Sequence, residues 1–128
     1  QPCSLAGFPL ETPDASGLGG AMVPGAACLD APIRSGTGDG WLLDHLGGGF
    51  VALAFETLPA TPPGIRRLIV GASGDLEDAH GLVAARYDGR PGVVYLIRPD
   101  QHVAARFRDP SAADLAHALT RAKGGFLG

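Results

Sequence analysis

The sequence predicts an α/β fold: a four-stranded mixed β-sheet with helices on both faces, preceded by a long irregular N-terminal arm. Two continuous apolar runs, 50–55 and 93–97, are typical of strands buried on both faces. Alternating apolar and polar residues over 102–108 are typical of a half-solvated strand. A helix signal follows directly, so the chain is predicted to end strand, strand, helix.

Glycine and proline separate the arm from a compact remainder. Most of the 20 glycines and 11 prolines lie before residue 50 or between Leu58 and Gly64. We therefore predict an extended arm or linker over residues 1–39, lying across the surface of another body. Residues 40–128 form the folded domain, and a chain of 128 residues fits one such core.

The first half of this domain is predicted to hold two strands and a connection with little room for a helix. Residues 40–47 form short helical turns, and 68–70 is a third, shorter apolar run. Three prolines lie in the connection 56–67, and a parallel crossover needs about a dozen residues. The existence of a helix in this connection is therefore left open.

The second half is predicted to contain a helix, an antiparallel hairpin and a last helix. The first helix begins at Asp75, tolerates Gly81 and carries one apolar stripe, formed by Leu76, Ala79, Val83 and Tyr87. The hairpin turns at 98–101, and the last helix runs from Pro110 to Lys123 with Asp109 as its N-cap. Elements in this order describe an α/β sandwich of the thioredoxin-like type.

Charge and hydropathy exclude several kinds of partner. The net charge is −3 and no run of basic residues exists, so neither nucleic acid nor an anionic membrane is an expected partner. No window approaches the roughly 18 apolar residues of a membrane span, and no signal peptide is recognised, so a cytoplasmic location is predicted. The chain opens at Gln1 like a piece of a longer protein, although processing explains this equally well.

The position at which a thioredoxin carries its redox thiols holds none here. A thioredoxin site needs Cys-x-x-Cys at a helix start after the first buried strand, because the helix dipole lowers the thiol pKa. That position reads Glu56-Thr57-Leu58-Pro59, which excludes disulfide exchange and peroxidase chemistry. Cys3 and Cys28 are interpreted as bystander thiols, and the bond before Pro91 is predicted to be trans.

Other motifs are weak. The glycines of 36–40 lack the dinucleotide-binding spacing and are interpreted as a loop. The segment 71–74 could bind an anion at a helix start, but the carboxylates of Asp75, Glu77 and Asp78 would repel one. We predict no catalytic, cofactor-binding or metal-ligating residue.

Histidines and arginines have competing interpretations. His80 near Asp75 and Asp78, and His117 near Asp114, are interpreted as surface imidazoles rather than as metal ligands or acid–base groups. Five arginines surround the predicted hairpin, and they could form salt bridges with Asp88, Asp100 and Asp109 or a docking edge: Arg86, Arg90, Arg98, Arg106 and Arg108.

The segment from Arg90-Pro91-Gly92 to Arg98-Pro99-Asp100 carries a specific pattern. It is accompanied by Gly40-Trp41-Leu42-Leu43-Asp44, Leu46-Gly47-Gly48-Gly49-Phe50, Ala85-Arg86-Tyr87-Asp88 and Val103-Ala104-Ala105-Arg106-Phe107. Together these segments resemble the C-terminal domain of FAD-dependent aromatic-ring hydroxylases, the phenol hydroxylase-like and 3-(3-hydroxyphenyl)propionate hydroxylase-like flavoprotein monooxygenases. The resemblance covers about 24–122 and is strongest from Arg90 to Asp100. The connection 56–67 departs from the family, since it is shorter and richer in proline than the usual crossover.

The resemblance implies a thioredoxin-like domain that has lost its redox residues and serves packing and subunit association, including possible homodimer formation. FAD, NAD(P)H and the phenolic substrate would bind to preceding domains of the longer enzyme. The alternative is a free-standing, redox-inactive thioredoxin-like binding or assembly module. A thiol enzyme that uses Cys28 is a third possibility.

Overall fold

The computed structural model describes residues 12–124, so Cys3 lies outside the described residues. The elements, in chain order, are β1 (Pro32–Ser35), β2 (Gly38–Trp41), a 3-10 helix (Leu42–His45), β3 (Phe50–Phe55), β4 (Ile65–Val70), α1 (Leu82–Tyr87), β5 (Val93–Ile97), β6 (Val103–Arg108) and α2 (Ala112–Ala122).

Four of the strands form one mixed sheet in the order β4-β3-β5-β6. β3 runs parallel to β4, with Phe50 beside Ile65, and antiparallel to β5, which pairs in turn with β6. A bulge between Leu96 and Ile97 shifts the β5–β6 register near the turn. The predicted α/β class, four-stranded mixed sheet and terminal hairpin are therefore confirmed.

Each face of the sheet is covered by one helix. Alternate β3 residues point to opposite faces, so Val51 and Leu53 pack with Val83 and Tyr87 of α1. On the other face small alanines at 52 and 54 leave room for α2, which packs through Leu115, Ala118 and Leu119. The prediction of helices on both faces is confirmed.

The connection between β3 and β4, residues 56–64, contains no helix. Arg67 on β4 holds it instead, because its guanidinium donates to the carbonyls of Pro59 at 2.7 Å and Leu58 at 3.2 Å. The sequence did not decide whether this connection contains a helix. The structure shows an irregular segment there, held by the hydrogen bonds of Arg67.

The first predicted helix starts seven residues later than expected, at Leu82 rather than Asp75. The Asp75 carboxylate accepts from the backbone N–H of Ile69 at 2.9 Å, which ties 74–76 to the edge of β4. Gly81 has a left-handed φ of +71° and precedes the helix. The predicted helix start was wrong, because the Asp75 carboxylate accepts a hydrogen bond from β4 instead of capping a helix.

The caps of both helices differ from the sequence prediction. Asp78 accepts from the N–H groups of Val83 at 3.0 Å and Ala84 at 2.9 Å, which satisfies free donors of α1. Ser111, not Asp109, is the N-cap of α2, in a reciprocal capping box with Asp114. Asp109 was expected at that position but follows the last residue of β6, with φ +51°.

The described part of the arm packs on this domain's own sheet. The outer edge of β6 is covered by hydrogen bonds from Thr12 N to Ala104 O at 3.1 Å and from Gly25 N to Val103 O at 2.7 Å. Residues 103–106 are consequently buried, and the prediction of a half-solvated strand was wrong.

The arm is also less irregular than expected. Residues 36–40, interpreted as a loop, form the turn and most of the second strand of the β1–β2 hairpin. The core on the α1 face includes Leu18, Met22 and Ile33. The arm therefore contributes side chains to the core of this domain itself. The boundary between residues 39 and 40 stays a prediction, although this hairpin crosses it.

Candidate functional site

The position that holds the redox thiols in a thioredoxin lies at the carboxyl end of β3. Thr57, Leu58 and Pro59 line a cavity of about 320 Å³ together with Gly92, Val94, Asp109 and Pro110. The polar side chains there are a hydroxyl and a carboxylate, and the walls are mainly apolar. Disulfide exchange requires a thiolate, which these residues do not supply.

Three strand ends are joined at this cavity. Gly92 N donates to Phe55 O at 3.0 Å, and Asp109 N donates to Gly92 O at 2.8 Å. Glu56 and Asp109 both have left-handed backbone, with φ of +70° and +51°. Such residues cost on the order of 1 kcal/mol each, so the surrounding packing must hold them in place.

Pro91 follows a trans peptide bond, as predicted, since no cis bond occurs among the described residues. Gly92, the next residue, has φ +95°, and a Cβ there would collide with the Asp109 carboxylate. Only glycine fits this backbone position without rearrangement.

Cys28 is a buried thiol rather than an accessible nucleophile. Its burial raises its pKa to about 11, against a smaller opposing effect of a hydrogen bond with Tyr87. The thiol is therefore protonated at neutral pH, which opposes the hypothesis of a thiol enzyme that uses Cys28.

Two buried tyrosines connect the sheet to the arm. Tyr95 donates its hydroxyl hydrogen bond to Tyr87 O at 2.5 Å, and Tyr87 donates to Leu29 O at 2.6 Å. Their rings meet edge to face with centroids 5.3 Å apart. Burial raises the pKa of both hydroxyls, so they act as neutral donors here.

Arg106 is the one charged residue buried among residues 12–124. Its guanidinium pairs with Asp14 at 2.7 Å and donates to the carbonyls of Gly19 at 2.8 Å and Leu18 at 2.9 Å. The alternating pattern over 102–108 predicts a solvated face for Arg106, so this contact was not expected from the sequence. The available signal was the arginine's position inside a strand between small apolar residues.

The pKa values of this pair reflect two opposing effects. Burial alone would raise the pKa of Asp14, but hydrogen bonds from Arg106 and Ser16 hold it below its ordinary value. Burial likewise disfavours the charged guanidinium, whereas hydrogen bonds with Asp14 and Tyr95 raise the pKa of Arg106. Both groups are therefore ionised at neutral pH.

The other arginines of the predicted cluster lie nearer the surface. Arg90 pairs with Asp88 at 3.3 Å and Arg98 with Asp100 at 2.5 Å, which confirms two of the expected salt bridges. Arg86 instead donates to the carbonyl of Asp30. The idea of a docking edge formed by Arg108 and its neighbours stays a prediction.

His80 and His117 are both exposed, as expected of surface imidazoles. Within residues 12–124 no three His, Cys, Asp or Glu side chains lie close enough together to hold a metal ion. Segment 71–74 is a turn beside β4 and not a helix start, so the helix that an anion site would need does not begin there. No described helix has the length and apolar character required to cross a membrane.

The fold matches parts of solved flavoproteins. The structure of the flavin-dependent monooxygenase PieE, in complex with FAD and substrate, matches 84% of this chain with 25% sequence identity and a TM-score of 0.69. Aklavinone-11 hydroxylase, solved with FAD and aklavinone, matches 73% of the chain with 24% identity and a TM-score of 0.58, which concerns the fold alone.

The chain spans about a fifth of the length of these enzymes, 21% of PieE and 20% of the hydroxylase. No family model matches the sequence, and no curated protein does. The likeness is therefore one of structure. The comparisons support the identification of this chain as similar to a C-terminal domain of FAD-dependent aromatic hydroxylases.

Proposed function

We propose that the chain is the C-terminal accessory domain of an FAD-dependent, NAD(P)H-using monooxygenase of aromatic compounds, here called the parent enzyme. The observation that carries this proposal is the match of 84% of the chain to one part of a flavin-dependent monooxygenase. The domain packs against the flavoprotein domains or a second subunit and performs no catalysis of its own.

We also propose that this accessory domain is thioredoxin-like, and the strand order supports this. A parallel pair, β4 and β3, lies beside an antiparallel hairpin, β5 and β6, and one helix covers each face. The position after β3 carries Glu56-Thr57-Leu58-Pro59. A scaffold without thiols at this position suits packing rather than redox exchange.

The segment after β3 lacks the features of a dinucleotide site. A dinucleotide site places a glycine-rich turn between a strand and a helix whose N-terminus faces the pyrophosphate. The turn after β3 has no glycine before Gly64, and no helix lies between β3 and β4. In this proposal, flavin binding, flavin reduction by NAD(P)H and insertion of one oxygen atom from O2 into a ring are assigned to other domains of the parent enzyme.

Flavin titration tests the proposal directly. We expect no change in FAD fluorescence when the purified chain is added in excess. Stoichiometric, tight FAD binding by these 128 residues would contradict the accessory role.

The coding frame supplies a second test. A frame that continues several hundred residues upstream into a flavoprotein agrees with the proposal. A frame that starts within a few residues of Gln1 would favour the free-standing assembly module instead.

A further inference from the structure

An exposed tryptophan lies at the end of the β1–β2 hairpin. Trp41 is the only tryptophan of the chain, pairs with Pro32 across the hairpin and is 53% exposed. It lines a groove of about 380 Å³, called here the Trp41 groove, together with Pro32, Asp39, Asp44, Ala79 and His80. A half-exposed indole in a concave surface is the kind of side chain on which protein interfaces concentrate their binding energy.

The rim of the Trp41 groove has an excess of negative charge. Asp39 lies 3.0 Å from the guanidinium of Arg34, and Glu77 lies 3.8 Å from the same group. Asp44 is exposed and forms no ion pair with any other residue of the described range 12–124. Of the two carboxylates that line the groove, Asp39 is paired with Arg34 and Asp44 is not, so the groove is complementary to a cation.

The first residue of α1 is an exposed leucine close in sequence to the groove. Leu82 begins that helix two residues after His80, and Arg86, one turn later, donates to the carbonyl beside Leu29. Leu29, Trp41 and Leu82 are large apolar residues that are exposed in the described range. Exposed apolar side chains of this size suit coverage by another protein surface.

We propose that the Trp41 groove docks an arginine side chain presented by the flavin-binding part of the parent enzyme. The planar guanidinium stacks on the indole of Trp41 while it pairs with the Asp44 carboxylate, and the ammonium of lysine offers neither planar stacking nor bidentate pairing. This inference rests on the proposed function. In PieE the matched domain occupies 21% of the chain, so most of such a chain is available to supply the partner surface.

The single tryptophan makes the chemistry of the groove measurable in the isolated chain. N-acetylarginine amide, added at low ionic strength, should change Trp41 fluorescence saturably, with half-saturation on the order of 10 mM. N-acetylcitrulline amide, which has the same shape without the charge, should have no saturable effect. Equal responses to the two compounds would overturn the inference.

Two matched variants assign the response to one carboxylate. Asp44→Asn should weaken the arginine response several-fold. Asp109→Asn removes the same charge at the cavity after β3, where the left-handed backbone suits asparagine, and should leave the response unchanged. If Asp44→Asn leaves the response unchanged, or both variants reduce it equally, the assignment to Asp44 fails.

The partner is tested in the full-length product of the coding frame by hydroxyl-radical footprinting. Docking should lower the oxidation rate of Trp41 about five-fold or more relative to the isolated chain. An unchanged rate in a full-length flavoprotein would overturn the docking inference and leave the accessory role intact. Dimerisation of the isolated chain that Trp41→Ala abolishes would assign the groove to a second copy and also overturn it. Tight FAD binding by the isolated chain would contradict the accessory role separately.

Discussion

The guanidinium of Arg106 lies beneath the N-terminal arm, 2.7 Å from Oδ2 of Asp14 and 92 positions away from it in sequence. This contact joins the arm to the edge strand of the sheet. It also accounts for the burial of a charged residue, because the carbonyls of Leu18 and Gly19 accept further guanidinium hydrogens.

Loss of Arg106 should destabilise the fold strongly. Arg106→Ala leaves a partly buried carboxylate and two carbonyls without their donor, so we expect the free energy of unfolding to fall by about 3–5 kcal/mol. Urea denaturation followed by circular dichroism measures this change. Arg90→Ala, which removes an exposed pair with Asp88, is the control and should cost less than about 1 kcal/mol. Equal losses in the two variants would contradict the role of Arg106 in holding the arm to the sheet.

Acid should weaken the same contact. The pKa of Asp14 is lower in the folded state than in the unfolded chain, so its stabilising contribution is present above the ordinary carboxyl pKa of about 4. That contribution is lost as the pH falls through the lowered folded-state pKa. Asp14→Asn should therefore be less stable than the wild type at pH 6, with a difference that shrinks towards pH 2. A difference that is constant with pH would show that Asp14 does not act through its charge.

Cys28 should react slowly in the folded protein. A Cys3→Ser variant leaves Cys28 as the only thiol, since the chain has 2 cysteines. With its pKa raised to about 11, Cys28 should react with a disulfide reagent at pH 8 far more slowly than after denaturation. Fast labelling of the folded variant would revive the thiol-enzyme hypothesis.

The same shift predicts a stability change in alkaline solution. The pKa of Cys28 is higher in the folded state than in the unfolded chain, where it is about 9. The contribution of the neutral thiol to the free energy of unfolding is therefore present below pH 9 and is lost as the pH rises towards about 11. In the Cys3→Ser background, Cys28→Ala should remove this part of the pH dependence. An unchanged alkaline profile would mean that other groups produce it.

Gly92 should tolerate substitution poorly. In Gly92→Ala the new Cβ meets the Asp109 carboxylate and also strains a backbone with φ +95°. We expect a loss of roughly 2 kcal/mol or more, measured by thermal or urea denaturation. Gly48→Ala is matched to it, because Gly48 has φ +76° but no atom within 4 Å of the place that a Cβ would occupy. The difference in stability loss between the two variants measures the cost of the contact between the new Cβ and Asp109. Equal losses would show that this contact has no cost.

Strand patterns predicted the sheet well because burial on both faces leaves continuous apolar runs at 50–55 and 93–97. The start of α1 was not predictable in this way. Asp75 has the residue type of a helix cap, but its carboxylate accepts a hydrogen bond from the backbone N–H of Ile69 on β4, a contact that the helix-cap pattern does not indicate. The packing of the arm on the sheet was not predictable either, because Asp14 and its partner Arg106 are 92 positions apart. The β1–β2 hairpin, in contrast, pairs residues that are close in sequence.

The candidate site was predictable in one respect. The absence of thiols from Glu56-Thr57-Leu58-Pro59 follows from the letters alone, and the structure adds the cavity around this segment. The Trp41 groove was not predictable, because its lining combines residues of the β1–β2 hairpin with Ala79 and His80. These segments are distant in sequence and meet only in the folded chain.

The helix-free connection between β3 and β4 also affects how the chain folds. Its nine residues, 56–64, close a shorter loop than a crossover with a helix, so parallel pairing loses less chain entropy. Parallel strands are ordinarily slow to pair because their contacts are remote in sequence. Here β3 and β4 are close enough along the chain to pair early, and Arg67 holds the connection by hydrogen bonds. The antiparallel hairpin β5–β6 can then pair with the existing edge of β3.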